Sequence, residues 1–186
     1  MAQKPCQAVI FDLLTALLNS WSLWNKVADS DGVGFNWRAR YLQLTYQAGL
    51  YRSYEGIIKE AAHEAGVPEA HAEELLQRWS ELEPWPETPQ VLHAFSEKVP
   101  IAVVTNASIA LANMAVTCLG VAMPTVVTAE EAGYYKPRPR PTAWLWTGCN
   151  VQQSPCSLSP DRPRMFQEPR QWVCRSGIVS GPNLLS

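Results

Sequence analysis

The chain has 186 residues, 47% of them hydrophobic, with 15 basic against 17 acidic side chains and a formal net charge of -2. That length and apolar content suit one globular domain with room for a subdomain, and a near-neutral balance provides no basic surface, so no nucleic-acid partner is expected. No apolar run approaches the roughly 18 to 20 residues that span a bilayer, and the opening MAQKPCQ lacks the apolar stretch of a signal peptide; the expectation is a cytoplasmic protein with no membrane partner.

Ala8 to Phe11 is a short β-branched and aromatic run that predicts a strand buried on both faces of a parallel sheet, and a carboxylate, Asp12, follows it directly. Leu14 to Ala28 carries apolar residues at helical spacing, interrupted at Asn19 and Ser20. Helical stripes follow from Trp37 to Leu50 and from Tyr54 to Gly66, the second through Ile57, Ile58, Ala61, Ala62 and Ala65, with Gly66, Val67 and Pro68 as its stop. His71 to Leu82 is a further amphipathic helix. The proline-rich joint EPWPETP, residues 83 to 89, offers Thr88 as N-cap and Pro89 at N1 of a helix over 88 to 97.

A second apolar strand, PIAVVTNAS at 100 to 108, contains Thr105 and Asn106 at its end, and a helix from Ser108 to Leu119 is closed by Gly120. A third strand, TVVTA at 125 to 129, leads through EEAG to YYKPRPRP at 134 to 141, which supplies Lys136. This alternation predicts an α/β fold, a doubly wound parallel sheet, with the helices between residues 17 and 85 inserted after the first strand. Ligands of such sheets bind beyond the carboxyl ends of the strands, so Asp12, Thr105, Asn106 and Lys136 are expected to converge on one crevice. A carboxylate, a hydroxyl with an amide, and an ammonium suffice for nucleophilic catalysis with charge balance. The competing structural reading makes Asp12 and Thr105 helix caps and nothing more.

The stretches VIFDLLTALL, AVVTNAS and YYKPRP resemble the three leading motifs of the haloacid dehalogenase superfamily: a strand ending in a nucleophilic Asp, a strand ending in Ser or Thr, and a Lys in a KP pair. The resemblance covers residues 8 to about 141 and implies a Rossmann-like core from residues 1–16 and 86–141, with a helical cap over 17–85. It makes Asp12 and Lys136 the catalytic residues. Phosphatases of that superfamily carry a second Asp two residues after the nucleophile as general acid and base. Leu14 stands there in this chain, which fits the L-2-haloacid dehalogenase branch, whose halide leaving group needs no proton. NWRARYLQLTY, residues 36 to 46, is similar to the cap segment in which that branch places a halide-receiving Arg, here Arg38, and Thr105 with Asn106 matches the branch's Ser-Asn pair, which holds the substrate carboxylate and the departing halide.

The implied activity is hydrolysis of a small-molecule 2-haloacid through an aspartyl ester on Asp12, with Lys136 holding Asp12 ionised and no metal or other cofactor. Dimers are common in the branch, which leaves a homodimer open, although no interface is legible in the chain. One departure is that Thr15 and Ala16 replace the family's Gly-Thr after the nucleophile. Two other readings compete: a phosphatase using Mg2+ at Asp12, and a non-catalytic remnant of the fold.

The family's fourth motif, an apolar strand ending in acidic or polar residues, has no counterpart after Lys136. From Thr142 onward there is no lysine, the only acids are Asp161 and Glu168, and prolines are scattered through the stretch, so residues 142–186 read as an aberrant, poorly ordered tail in which Trp144, Trp146 and Trp172 are out of place. A shifted reading frame accounts for this. Read one base out of register, the codons of Thr142 to Cys149 can encode a helix, those of Pro155 to Ile178 an apolar strand with a polar loop, and the codon of Met165 forces Asp, His, Asn or Tyr where the fourth motif wants Asp. Loss of a base between about Pro139 and Thr142 would produce the tail and leave the chain without the fourth-motif residues that complete the site, so an inactive chain stands among the readings. Cys6, Cys118, Cys149, Cys156 and Cys174 lack metal-ligand spacing and read as thiols, and His63, His71 and His93 carry no assigned chemistry.

Overall fold

The computed structural model describes residues 8–138 and, as backbone only, two short strands at 172–174 and 178–180. The expected α/β architecture is present. Strand β1 (Val9–Phe11) is followed by helices α1 (Ser20–Val27), α2 (Asp31–Ala48), α3 (Tyr54–Glu64) and α4 (Glu69–Gln77) and a 3-10 turn at Trp79–Glu81. Then come α5 (Thr88–Ser96), β2 (Ile101–Thr105), α6 (Ile109–Thr117), β3 (Val126–Thr128) and α7 (Ala129–Ala132). The tail supplies β4 (Trp172–Cys174) and β5 (Ile178–Ser180). Among the described residues no helix is long and apolar enough to cross a membrane.

The sheet runs in the order β3-β2-β1-β5-β4. Strands β3, β2, β1 and β5 pair in parallel, and β4 turns back antiparallel against β5. The C-terminal part of the core is thus irregular, as expected, with an antiparallel strand pair in which only β5 continues the parallel sheet. The remainder of the tail, and with it the shifted-frame reading of 142–186, lies outside the described residues, as do Cys6, Cys149 and Cys156. Cys118 is a free thiol.

Registers of Phe11 with Val103 and of Thr105 with Thr128 bring the carboxyl ends of β1, β2 and β3 to the same edge of the sheet. Alternate residues divide between the faces, as the period of a strand requires. Val9, Phe11, Ile101 and Val103 join the main core with the helices, while Ile10, Ala102, Val104 and Val127 form a small cluster on the other face.

The helices between β1 and α5 pack around aromatic side chains. Trp24 meets Trp37 edge-on with centroids 4.6 Å apart, Tyr41 packs on Trp24 and Tyr54, and Tyr54 meets Trp79. Buried indole N–H groups need acceptors, and here they tie elements together: Trp37 Nε1 donates to the Ile58 carbonyl, and Trp79 Nε1 donates to the Leu111 carbonyl of α6. The Tyr135 hydroxyl donates to the Arg52 carbonyl at 2.6 Å, and its amide donates to the Gly49 carbonyl at 2.9 Å. These contacts fasten the segment that carries Lys136 to the end of α2. Gly49 has φ +65°, a conformation that favours glycine at a helix terminus.

Two local expectations need correction. Glu87, not Thr88, occupies the N-cap of α5, because the Thr88 hydroxyl donates to the Leu17 carbonyl at 2.8 Å instead. The run from Leu14 does not begin a helix: α1 starts at Ser20 with Asn19 as its cap, its side chain accepting from the Ser22 amide.

Candidate active site

Asp12 follows β1 directly, and Lys136 reaches it across the strand ends. The Lys136 ammonium donates to Asp12 Oδ1 at 2.5 Å and to the Val104 carbonyl at 2.6 Å. Strand register explains the pair of contacts, since Phe11 lies beside Val103 and the next residues, Asp12 and Val104, are neighbours. The other carboxylate oxygen, Oδ2, accepts from the Thr15 hydroxyl at 2.6 Å and from the Thr15 amide at 3.1 Å. Both side chains of the ion pair keep about a quarter of their surface exposed, 27% for Asp12 and 25% for Lys136.

Burial by itself raises the Asp12 pKa. The Lys136 charge and hydrogen bond, together with the two donors of Thr15, outweigh it, so the carboxyl lies below its ordinary range and is an anion at neutral pH. Thr15, a departure from the family pattern, therefore supplies a hydroxyl to the candidate nucleophile from three residues downstream. Its signal in the sequence was only that of a Thr close after an Asp.

Asn106 accepts the Lys136 amide on Oδ1 at 2.8 Å, which fixes the backbone from which the lysine extends. Thr105 is buried, and its hydroxyl accepts from the Ala107 amide at 3.3 Å. The cap of α6 is Ser108, whose hydroxyl accepts from the Leu111 amide, so the capping reading of Thr105 does not hold. For Asp12 the two readings coexist: it accepts the Thr15 amide in the manner of a turn cap and also faces Lys136.

Arg38 lies on the buried face of α2 with 2% of its surface exposed. Its Nη2 donates to the Ser20 hydroxyl at 2.9 Å, and its guanidinium carbon sits 4.0 Å from the centroid of the Trp21 ring. Nε and Nη1 are buried without a hydrogen-bond partner among the described residues. Burial lowers the Arg38 pKa, and Tyr41, Tyr54 and Asp12 pull the other way, which puts Arg38 within the electrostatic reach of Asp12. An arginine remains protonated at neutral pH despite such a shift.

The strand ends thus gather Asp12, Lys136 and Asn106 into one hydrogen-bonded chain, with Thr15 and Arg38 beside it. Ser20 and Trp21 are part of this arrangement and were not singled out by the sequence. Their contacts to Arg38 join α1 to α2, and neither residue carries a local motif.

The fold is that of L-2-haloacid dehalogenases. The dehalogenase of Xanthobacter autotrophicus superposes with a TM-score of 0.72 at 18% identity, over 81% of this chain and 67% of that one. The same enzyme with chloropropionic acid covalently bound gives 0.70 at 20% identity, over 80% and 66%. A Bacillus subtilis protein of HAD-hydrolase type, YfnB, bound to magnesium, gives 0.60 at 11% identity, over 77% and 74%. The chain spans about two thirds of the length of the Xanthobacter enzyme. No family model and no curated protein matches the sequence.

Proposed function

We propose that this chain is a hydrolase of the haloacid dehalogenase type that acts on a small 2-haloacid. The observation that carries the reading is the Asp12 carboxylate, held ionised by Lys136 and Thr15, with the apolar Leu14 two residues on where a proton donor for an alkoxide leaving group would be needed. In the reaction a carboxylate oxygen of Asp12 forms a bond to C2 of the substrate as the carbon–halogen bond breaks, with inversion, and the bonding pair leaves on the halide. Water then attacks the carbonyl carbon of the resulting ester. The products are a 2-hydroxyacid, halide and a proton, and the Asp12 carboxylate is regenerated. Lys136 counters the negative charge on the Asp12 oxygens in both steps. The N–H groups of Arg38 that lack a partner among the described residues favour an anion, either the substrate carboxylate or the departing halide, and Thr105 with Asn106, at the end of β2, are the residues proposed to meet the same groups.

A magnesium-dependent phosphatase is the second reading, and the donor set does not favour it. Mg2+ takes oxygen ligands in octahedral geometry, typically with carboxylates. Among the described residues no group of three His, Cys, Asp or Glu side chains is placed to hold a metal. Both oxygens of Asp12 already accept from Lys136 and Thr15, and the Leu14 carbonyl accepts from the Ser20 hydroxyl.

Halide release from 2-chloropropionate against phosphate release from p-nitrophenyl phosphate, each with and without EDTA, tests the assignment. The expected result is EDTA-insensitive halide release that disappears in Asp12→Asn. EDTA-sensitive phosphate release would move the chain to the phosphatase reading. No Asp12-dependent turnover on either substrate would make it a non-catalytic remnant.

A further inference from the structure

A guanidinium buried to 2% exposure is ordinarily paired with a carboxylate. Arg38 has no such partner among the described residues: its one hydrogen bond goes to a neutral hydroxyl, that of Ser20. Ser20 is itself fully buried at the start of α1. A serine hydroxyl has one proton to give and lone pairs to receive with, and both capacities are used here. It accepts from Arg38 Nη2 at 2.9 Å and donates to the carbonyl of Leu14, which lies in the loop directly after Asp12. The Trp21 ring, from the next residue, lies against the guanidinium.

We propose that Ser20 is the positioning residue of the anion site: its hydroxyl, anchored on the Leu14 carbonyl, fixes the Arg38 guanidinium relative to Asp12 without neutralising it, leaving Nε and Nη1 for a monoanionic ligand. The inference rests on the dehalogenase reading and deepens it, since it names what sets affinity for the substrate's anionic groups. A carboxylate at position 20 would hold the arginine equally well and cancel the charge that draws the ligand in. A hydroxyl holds it and leaves that charge unspent. The same bond couples α2 to the loop of the nucleophile, so that a ligand on Arg38 is registered against Asp12.

The full-length chain tests this with Ser20→Ala, Ser20→Thr and Ser20→Asp, each alone for halide release and each in an Asp12→Asn background for binding of 2-chloropropionate by saturation-transfer NMR. Loss of a hydrogen bond to a charged group predicts a rise of about tenfold in both Kd and KM for Ser20→Ala, with a smaller change in kcat. Ser20→Thr keeps the hydroxyl and is expected to restore binding, whereas Ser20→Asp abolishes it. Ser20→Ala with wild-type Kd and KM overturns the inference, and so does a lowered melting temperature with unchanged Kd, which would make Ser20 structural only. Absence of both halide release and 2-chloropropionate binding in the unsubstituted chain overturns the dehalogenase reading and this inference with it. Release and binding that Ser20→Ala leaves intact overturn this inference alone.

Discussion

Lys136 Nζ stands 2.5 Å from Asp12 Oδ1 across 124 residues of sequence. The contact joins the first strand to the segment after the third, and the lysine is held at its base by Asn106 and at its tip by the Val104 carbonyl. Replacing Lys136 with Met removes the charge and keeps the aliphatic stem. The half-buried Asp12 carboxylate then lacks its counter-charge, and its pKa rises. A pair with about a quarter of each side chain exposed lies between the surface and buried limits, so the expected loss of stability is about 1 to 3 kcal/mol. Urea unfolding at neutral pH measures it, and halide release is expected to vanish in the same variant.

The depressed Asp12 pKa fixes the sign of a pH effect. A carboxyl lowered in the folded state binds fewer protons there than in the unfolded chain, so its contribution is fully present above the unfolded value of about 3.9 and is lost as pH falls through the lower folded value. Wild type is therefore expected to lose more stability than Asp12→Asn as pH is lowered from 5 towards about 2. Glu81, held at about 2 by its hydrogen bond to Arg78 and assisted by Lys26, titrates in the same window, which is why the comparison is with Asp12→Asn and not with neutral pH alone. Parallel curves for the two proteins would contradict the assignment.

Thr15→Val replaces the hydroxyl on Asp12 Oδ2 with a methyl of similar size and leaves the amide hydrogen bond in place. Loss of one hydrogen bond to a carboxylate predicts about 1 to 2 kcal/mol of destabilisation and a higher Asp12 pKa. The acid limb of the stability curve in this variant is expected to move upward in pH. An unchanged acid limb would mean that the hydroxyl does not bear on the ionised carboxylate.

What the sequence made legible follows from the range of the forces involved. Strand ends and their order depend on local apolar runs, so β1, β2 and β3 and the convergence of Asp12 with Lys136 could be read directly. The buried face of α2, with Trp37, Arg38, Tyr41 and Leu44, follows helical spacing and was equally accessible. Side-chain hydroxyls behave differently, because the nearest acceptor in space decides their partner. Thr88 had the composition of an N-cap yet bonds to Leu17, and Ser20 had the look of a helix interruption yet links Arg38 to Leu14. Neither partner could be identified from spacing along the chain.

Trp79 is fully buried and donates to the Leu111 carbonyl at 3.0 Å, so it ties the helices after β1 to α6. Trp79→Phe deletes the donor, leaves a buried carbonyl without that partner and opens a small void beside Tyr54. The combined expectation is about 2 to 4 kcal/mol, read from chemical unfolding. Trp85→Phe is the milder comparison, since its Nε1 donates to the Thr15 carbonyl from a partly exposed position. Equal losses in the two variants would contradict the burial argument.

The last prediction concerns the reading frame. Residues 8–138 form a packed α/β unit with Asp12 and Lys136 in contact, whereas the tail adds only β5 beside β1 and an antiparallel β4 against β5. A parallel sheet gains its stability from burial on both faces, and the second face here holds the small cluster of Ile10, Ala102, Val104 and Val127. Read with a single-base shift between about Pro139 and Thr142, codons compatible with the tail's residues can encode a helix, an apolar strand and an acid, the order that a doubly wound sheet would use. Sequencing the gene across the codons of residues 136 to 145 reads the frame directly. A chain expressed with the base restored is expected to melt at a higher temperature than the printed chain and to release halide from 2-chloropropionate where the printed chain releases less. The frame hypothesis fails if the gene reads cleanly in the printed frame and restoring the base raises neither melting temperature nor turnover.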